Sequence, residues 1–252
     1  MKIYMFFISF FSFVFMYANT SLPKPDIIDT GYGKLTIQPI HHASLVLLYN
    51  NKTIYVDPTG GKEAYTGIAK PDIILITDIH KDHFDLKTIQ ELDAKNAIII
   101  APKAVVEQLS YTYKQNAIDL KNKQGVHRLG FYFSAVAMYN VPETENAFHP
   151  KGRGNGYVIS INDFDIYISG DTSVTKEMKM LYGIDVAFIC MNLPYTMDIN
   201  EAAEGVLAFK PKKVYPYHYK GKDMISDVKK FKELVNAKDS NIEVCLRNWY
   251  AK

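Results

Sequence analysis

The stretch DIHKDH places two histidines and two aspartates within six positions, one residue after the apolar run PDIILI. Imidazole and carboxylate groups bind divalent transition metals in proteins. Asp78 and His80 are two positions apart, so an extended backbone would direct both side chains the same way. If the chain then turns, Asp82 and His83 enter a neighbouring space, and one loop could serve two adjacent metal ions. The alternative is a polar loop before a helix, with Asp82 or Asp85 as the N-cap.

Three later residues of the same types lie beside other strand-like runs. Asp171 follows the run FDIYISG, His218 follows KKVYPY, and His149 lies in a loop shortly before GYVISI. Each of them alone is also compatible with a turn residue, a helix cap or a buried structural histidine. Ligands of open α/β sheets collect at the carboxyl ends of strands, so we expect these side chains to converge. Their joint occurrence predicts a metal site.

The elements that would position these residues form two halves of similar order. The first half has the strand-like runs KLTIQPI, SLVLLY, KTIYVD and DIILIT, followed by helical periodicity in LKTIQELDA and PKAVVEQLSYTY. The second half has FYFSAVAMYN, GYVISI and FDIYIS, after which helices and strands alternate. Two strand-then-helix halves without a linker predict an α/β fold of two packed sheets with helices outside.

These stretches resemble the metallo-β-lactamase superfamily, whose signature is H-x-H-x-D-H after a strand, then a later His, a Gly-Asp-Thr-like aspartate and a final His. The stretches HHASLVLLYNNKTIYVDP, VPETENAFHPKGRGNGYVI and NLPYTM resemble its lactonase-like and uncharacterised hydrolases. The resemblance implies a four-layer αββα sandwich with two divalent metal ions at one edge of the sheets. The residues that it would make metal ligands are Asp78, His80, Asp82, His83, His149, Asp171 and His218.

The resemblance also implies the chemistry. A metal-dependent hydrolase of this type uses a metal-activated hydroxide to attack a carbonyl carbon or a phosphorus atom. Asp82 and Asp171 are the catalytic candidates, because either could orient the nucleophile or receive its proton. The expected substrate is a small ester, lactone, amide or phosphodiester.

Other residues are candidates for contacts near the metals. His42 is a candidate substrate contact, or else a structural histidine between strands. Tyr195 could donate a hydrogen bond to the developing oxyanion, with plain packing as the alternative. Lys151 and Arg153 in KGRGNG could hold a phosphate or carboxylate, although a hairpin loop explains this stretch as well. Asp57 in YVDP is expected to shape a turn behind the metal loop.

Asp78 departs from the signature, which has a histidine at this position. A carboxylate can still ligate zinc. With Asp78, Asp82 and Asp171 ionised, two divalent ions and a bridging hydroxide bring the charge of the site to zero, whereas the signature histidine would leave +1. The lower charge of the site favours weaker activation of water, or tolerance of manganese or iron in place of zinc. There are two alternatives. Only the second site, formed by Asp82, His83, Asp171 and His218, fills with metal, or the chain is a metal-binding protein of the same fold with weak or no turnover.

The first 18 residues have the layout of a secretory signal peptide, with Lys2, an apolar run rich in Phe, and the small residue Ala18. A membrane anchor is the alternative, but a span needs about 20 apolar residues and polar residues follow too soon. We therefore predict a signal peptide at 1–18 and one hydrolase domain at 19–252. The protein is expected to be exported, periplasmic or secreted, without a stable membrane span after cleavage.

Composition limits the partners. The chain has 29 Lys and Arg against 27 Asp and Glu, and loss of Lys2 with the signal peptide leaves 28 against 27. Such near-neutrality argues against a nucleic-acid partner, so a small-molecule substrate is expected. Cys190 and Cys245 both lie in apolar runs. We expect two buried free thiols, although an exported protein could join them in a disulfide.

Overall fold

A computed structural model of the protein describes residues 22–250. The predicted signal peptide at 1–18 lies outside these residues. Among the described residues, no helix has both the length and the apolar character needed to cross a membrane. The two cysteines, Cys190 and Cys245, are free and buried, and burial raises their pKa to about 12 and about 11. They are therefore unreactive thiols at neutral pH.

Within residues 22–250, the first sheet has seven strands that lie side by side in chain order. The first four strands pair antiparallel, and the fourth to the seventh pair parallel. Its strands are β1 (Asp26–Asp29), β2 (Lys34–His41), β3 (Ser44–Tyr49), β4 (Lys52–Val56), β5 (Ile73–Leu75), β6 (Ile98–Ala101) and β7 (Ala117–Asp119). The connections between its parallel strands contain a 3-10 helix (Lys62–Tyr65), α1 (Leu86–Glu91), α2 (Lys103–Val106) and α3 (Tyr111–Lys114).

In the described part of the chain, the second sheet also has seven strands and the same change from antiparallel to parallel pairing. Its strands are β8 (Gly125–Arg128), β9 (Phe131–Met138), β10 (Gly154–Ile161), β11 (Phe164–Ile168), β12 (Ile184–Ile189), β13 (Lys213–Pro216) and β14 (Glu243–Val244). The helices of this half are α4 (Lys176–Lys179), α5 (Ile199–Phe209) and α6 (Val228–Asn236).

The packing of side chains explains why the sheets stack. In β5, Ile73 and Leu75 join the core between the sheets, while Ile74 packs with the apolar cluster on the outer face of the first sheet. This alternation follows from the two-residue period of a strand. Because both faces are covered, such strands are continuous apolar runs. The result is the predicted layering of helices, sheet, sheet and helices.

Candidate metal centre

The DIHKDH stretch forms a turn at the carboxyl end of β5. The backbone N–H groups of His83 and Phe84 both donate to the carbonyl of His80, at 2.9 and 2.8 Å. Asp85, the next acid along the chain, is the N-cap of α1 and accepts from the backbone N–H of Lys87. Because Asp85 caps the helix, Asp82 is not the N-cap and is available to face the centre.

All seven candidate ligands meet at this edge of the two sheets, in two groups. The first cluster is Asp78, His80 and His149; the second cluster is Asp82, His83, Asp171 and His218. Within each cluster, one ligand atom from every residue lies within 4.8 Å of the others. The residues come from the loops after β5 and β11, the end of β13 and the loop before β10. The structure therefore brings together groups spread over some 140 positions of sequence.

Asp171 belongs to the second cluster but also faces His149 of the first. Its Oδ2 is 3.3 Å from Nε2 of His83 and 3.4 Å from Nε2 of His149, and its Oδ1 is 3.2 Å from Nε2 of His218. One carboxylate thus faces imidazoles of both groups, which suits a ligand shared by two adjacent ions.

Several atoms of these clusters fit a bound cation. Nε2 of His83, Nε2 of His149 and Oδ1 of Asp171 are buried, face other candidate ligands and have no hydrogen-bond partner among the described residues. A buried polar atom without a partner costs free energy, and coordination of a cation would remove that cost. Imidazole nitrogen and carboxylate oxygen are donors for zinc and for other divalent transition metals. The residues present therefore fit a pair of divalent ions.

The ionisable groups of the second cluster shift one another's pKa. Burial opposes ionisation of Asp171, but the attraction of His218 and His83 outweighs it and holds the pKa of this carboxyl well below its usual range. Burial likewise opposes protonation of His83, yet Asp171 and Asp57 raise the pKa of the imidazole well above its ordinary value. The carboxylates therefore stay ionised, and protons on the imidazoles must leave when a metal binds.

Asp57 is more than a turn residue. Nδ1 of His83 donates to Oδ2 of Asp57 at 2.8 Å, and the backbone N–H and hydroxyl of Thr77 donate to the same carboxylate at 2.7 and 2.6 Å. Asp57 is fully buried. This contact fixes the imidazole with Nε2 toward the second cluster, as carboxylates behind metal-binding histidines do.

We expect Asp57→Asn to weaken metal binding by the second cluster by about 10- to 100-fold, because the neutral side chain no longer holds the imidazole proton at Nδ1. Asparagine tolerates the left-handed backbone at this position, where φ is 44°. Competition with a chromogenic chelator measures the affinity. Asp72→Asn is the matched control, because Asp72 also caps a backbone N–H, that of Thr53, but is not part of either cluster. Equal affinities of Asp57→Asn and the parent would contradict this role.

His42 contacts the second cluster through Asp82. Its Nε2 is 3.4 Å from Oδ2 of Asp82, and its Nδ1 is 2.8 Å from the hydroxyl of Tyr250. Burial lowers the pKa of His42 despite the hydrogen bond to Asp82. Both ring nitrogens are thus engaged with the protein, so His42 orients Asp82 and also borders the cleft.

Two cavities flank the clusters. One, of about 280 Å³, is lined by residues of both clusters together with Phe148 and Tyr195. The other, of about 260 Å³, extends from His218 to Tyr250 and also includes Asn192. Tyr195 lines both cavities, and its ring meets that of Phe148 edge to face at 5.1 Å. The space suits a small ligand lying across the clusters.

Sequence reasoning missed Asn192 and Tyr250. Nδ2 of Asn192 is 3.3 Å from Nε2 of His218. The position of Asn192, shortly after the end of β12, was a usable signal, because the other candidates also follow strand ends. Tyr250 is 208 positions from its partner His42, and nothing near it in sequence marks it.

Comparison with known proteins is consistent with this geometry. The family described as Beta-lactamase superfamily domain matches residues 36–218. The UPF0173 metal-dependent hydrolase of Pyrococcus horikoshii is 33% identical over 202 residues, which cover 75% of this chain and 87% of the relative. That of Thermococcus onnurineus is 32% identical over 217 residues, covering 78% and 90%.

Solved structures agree. A putative metal-dependent hydrolase from Parabacteroides distasonis superposes with a TM-score of 0.79 at 37% identity, covering 89% of this chain and 98% of that one. Igni18, a metallo hydrolase from Ignicoccus hospitalis, has a TM-score of 0.70 at 22% identity, covering 84% and 94%. The second likeness concerns the fold alone.

Proposed function

The chain belongs to the beta-lactamase superfamily and, within it, to the UPF0173 metal-dependent hydrolases, and from this premise we propose the reaction, the metal and the location. The protein is an exported hydrolase that uses two divalent ions, zinc in the first place, to cleave a small ester, lactone, amide or phosphodiester. The observation that supports two ions is Asp171, whose carboxylate faces imidazoles of both clusters.

When bound, two adjacent divalent ions supply a water molecule of strongly lowered pKa and a Lewis acid for the substrate oxygen. The protein contributes position and proton handling. The side chain of Asp82 is 41% exposed and lines both cavities, so it can contact a water molecule in the cleft and orient it for attack. The side chain of Asp171 is only 4% exposed and is surrounded by imidazoles, so its role is to hold the ions. Of the two catalytic candidates, Asp82 is therefore the one that we propose to orient the attacking water.

Tyr195 and Asn192 are placed to contact the substrate. Tyr195 lines both cavities, so its hydroxyl can donate to an oxyanion that develops above the clusters. The backbone carbonyl of Tyr195 accepts from Nδ2 of Asn140 at 2.9 Å, which ties this loop to the one before His149. Asn192 offers an amide donor beside His218. Donors at fixed positions cost no reorganisation when charge develops.

The experiment that tests this function combines metal analysis with a substrate panel. The purified mature protein is loaded with zinc or manganese, its metal content is measured by elemental analysis, and hydrolysis of bis(p-nitrophenyl) phosphate and a series of lactones is followed. We expect two ions per chain and turnover of at least one substrate. Full occupancy without turnover on an extended ester and amide panel would favour a metal-binding protein of the same fold, an alternative that Asp78 keeps open.

Export is tested separately. The full chain, expressed in a bacterium with a secretory pathway, is expected to yield a mature protein that begins at Asn19, because residues 1–18 have the layout of a cleaved signal. N-terminal sequencing of the exported fraction checks this. Phe13→Asp, which interrupts the apolar run, should leave the uncleaved chain inside the cell. An intact N-terminus on soluble intracellular parent protein would contradict export.

A further inference from the structure

Arg153 lies against Asp78, the residue that departs from the superfamily signature. Nε of Arg153 is 3.3 Å from Oδ1 of Asp78, and Nη2 is 3.1 Å from Oδ2. The guanidinium is held in place by a third contact, because Nη2 also donates to the backbone carbonyl of Phe148 at 2.6 Å. The carboxylate is fully buried and the arginine side chain is 23% exposed. A two-point contact between a guanidinium and a buried carboxylate is stronger and more directional than an exposed ion pair.

The same guanidinium acts on His80. Nη2 of Arg153 is 3.3 Å from Nε2 of His80, while Nδ1 of His80 is 2.8 Å from Oδ2 of Asp78. Since a guanidinium has only donors, it favours a lone pair on Nε2 and therefore a hydrogen on Nδ1 of a neutral imidazole. A metal ion held by Nδ1 requires the opposite tautomer, with N–H groups of His80 and Arg153 facing each other. Arg153 thus opposes an ion in the first cluster through its charge and through this tautomer.

The charge of this pair also matters. The carboxylate of Asp78 and the guanidinium of Arg153 together are neutral, as is the histidine that the signature has at this position. The other cation of the KGRGNG loop, Lys151, is paired with Glu143 at 2.9 Å and makes no contact with the clusters. With Arg153 counted, the charge of a centre that holds two divalent ions and one hydroxide returns from zero to +1. The weaker activation of water expected from Asp78 alone therefore no longer follows.

We propose that Asp78 and Arg153 act as a neutral pair in place of the signature histidine, and that Arg153 sets the affinity of the first cluster for its ion, keeping it below that of the second cluster. This inference rests on the two-ion centre proposed above. The inference concerns the affinity for a metal ion rather than turnover, so the inference and the proposed function can fail separately.

The test is a zinc titration of the metal-free full-length mature protein in competition with a chromogenic chelator, which gives two dissociation constants. His149→Ala, which removes a ligand of the first cluster only, assigns the weaker step to that cluster. Arg153→Gln is expected to tighten the weaker step by about 10-fold or more, because it removes a cation beside the candidate ligands Asp78 and His80, and to leave the tighter step within about 3-fold. Arg153→Lys retains the charge but loses the two-point contact, so it should tighten the weaker step less than Arg153→Gln does. Lys151→Gln, in the same loop, is the matched control and should change neither.

A second set of variants separates charge from positioning. Asp78→His alone leaves the guanidinium unpaired beside the cluster, so it should weaken the first ion relative to the parent. The double variant Asp78→His, Arg153→Gln should bind the first ion at least about 10-fold more tightly than Asp78→His does. The changes in binding free energy caused by the two substitutions should not add. Thermal melting of each metal-free variant verifies that it is folded.

The outcomes are distinct. If the parent binds two ions and Arg153→Gln binds the weaker one no more tightly than the parent, Arg153 only positions Asp78 and the inference is overturned while the proposed function stands. If Asp78→His alone tightens the first ion as much as the double variant, the charge role is also overturned. A parent that binds no zinc would overturn the metal centre itself, and this inference with it.

Discussion

Asp171→Ala is expected to remove both ions from the centre and to lower the rate of hydrolysis by at least about 1000-fold. Loss of a residue that only orients a metal ligand costs about 10- to 100-fold in affinity or activity, and a ligand shared by two ions should cost more. The carboxylate lies within 3.4 Å of His83, His149 and His218. Without it, the clusters lose the carboxylate that faces both of them, and only Asp78 and Asp82 supply negative charge beside these imidazoles, so two divalent ions bind less favourably.

Elemental analysis and the rate on the best substrate of the panel measure this effect. The matched control is Asp185→Ala, because Asp185 is a buried aspartate at the opposite edge of the same sheet, where it pairs with Lys212 at 2.7 Å. Asp185→Ala should lose stability but retain two ions and nearly full activity. An Asp171→Ala protein that still holds two ions would refute the shared-ligand role.

The sequence allowed the fold and the gathering of the metal-binding groups to be predicted, for a simple geometric reason. Parallel strands of one sheet end at a common edge, so Asp171 and His218, which follow the parallel strands β11 and β13, must lie near each other. His80 follows β5 of the other sheet and joins them because the two sheets stack. The prediction of two packed sheets used this order of elements, the metallo-β-lactamase sandwich came from the resemblance, and both are confirmed. The roles of Asp82 and Asp171 as catalytic groups remain predictions.

Contacts between distant loops could not be predicted in the same way. Arg153 is 75 positions from Asp78, and their contact depends on the path of the loop before β10, which no local pattern encodes. The stretch PKAVVEQLSYTY shows another limit, because its periodicity predicts one helix while the structure has α2 and α3 with extended backbone at Ser110 between them. The strand β1, with sequence DIID, was missed because two of its four residues are acidic.

Removal of the two metal ions is expected to lower the melting temperature of the mature protein by roughly 10–20 °C. A ligand that binds only the folded state stabilises it by about 2.7 kcal/mol at a free concentration of 100 times its dissociation constant, and each kcal/mol shifts the melting temperature of a domain of this size by about 2–4 °C. The physical source is the crowding of buried imidazoles and carboxylates in the two clusters, several of whose atoms have no hydrogen-bond partner among the described residues. Differential scanning calorimetry with excess chelator and with saturating zinc measures the shift.

Two histidine variants assign this stabilisation to the clusters. His149 belongs only to the first cluster and His218 only to the second, and both are buried, so each replacement by alanine removes one ligand at a comparable cost in packing. If the second cluster binds its ion more tightly, His149→Ala should retain most of the zinc-dependent shift at low zinc, whereas His218→Ala should lose most of it. Identical melting temperatures of the parent with chelator and with saturating zinc would show that these side chains hold no ion in the folded protein. In that case the buried imidazoles and carboxylates would have to be stabilised by their mutual ion pairs alone, and the hydrolase would need another source for its nucleophile.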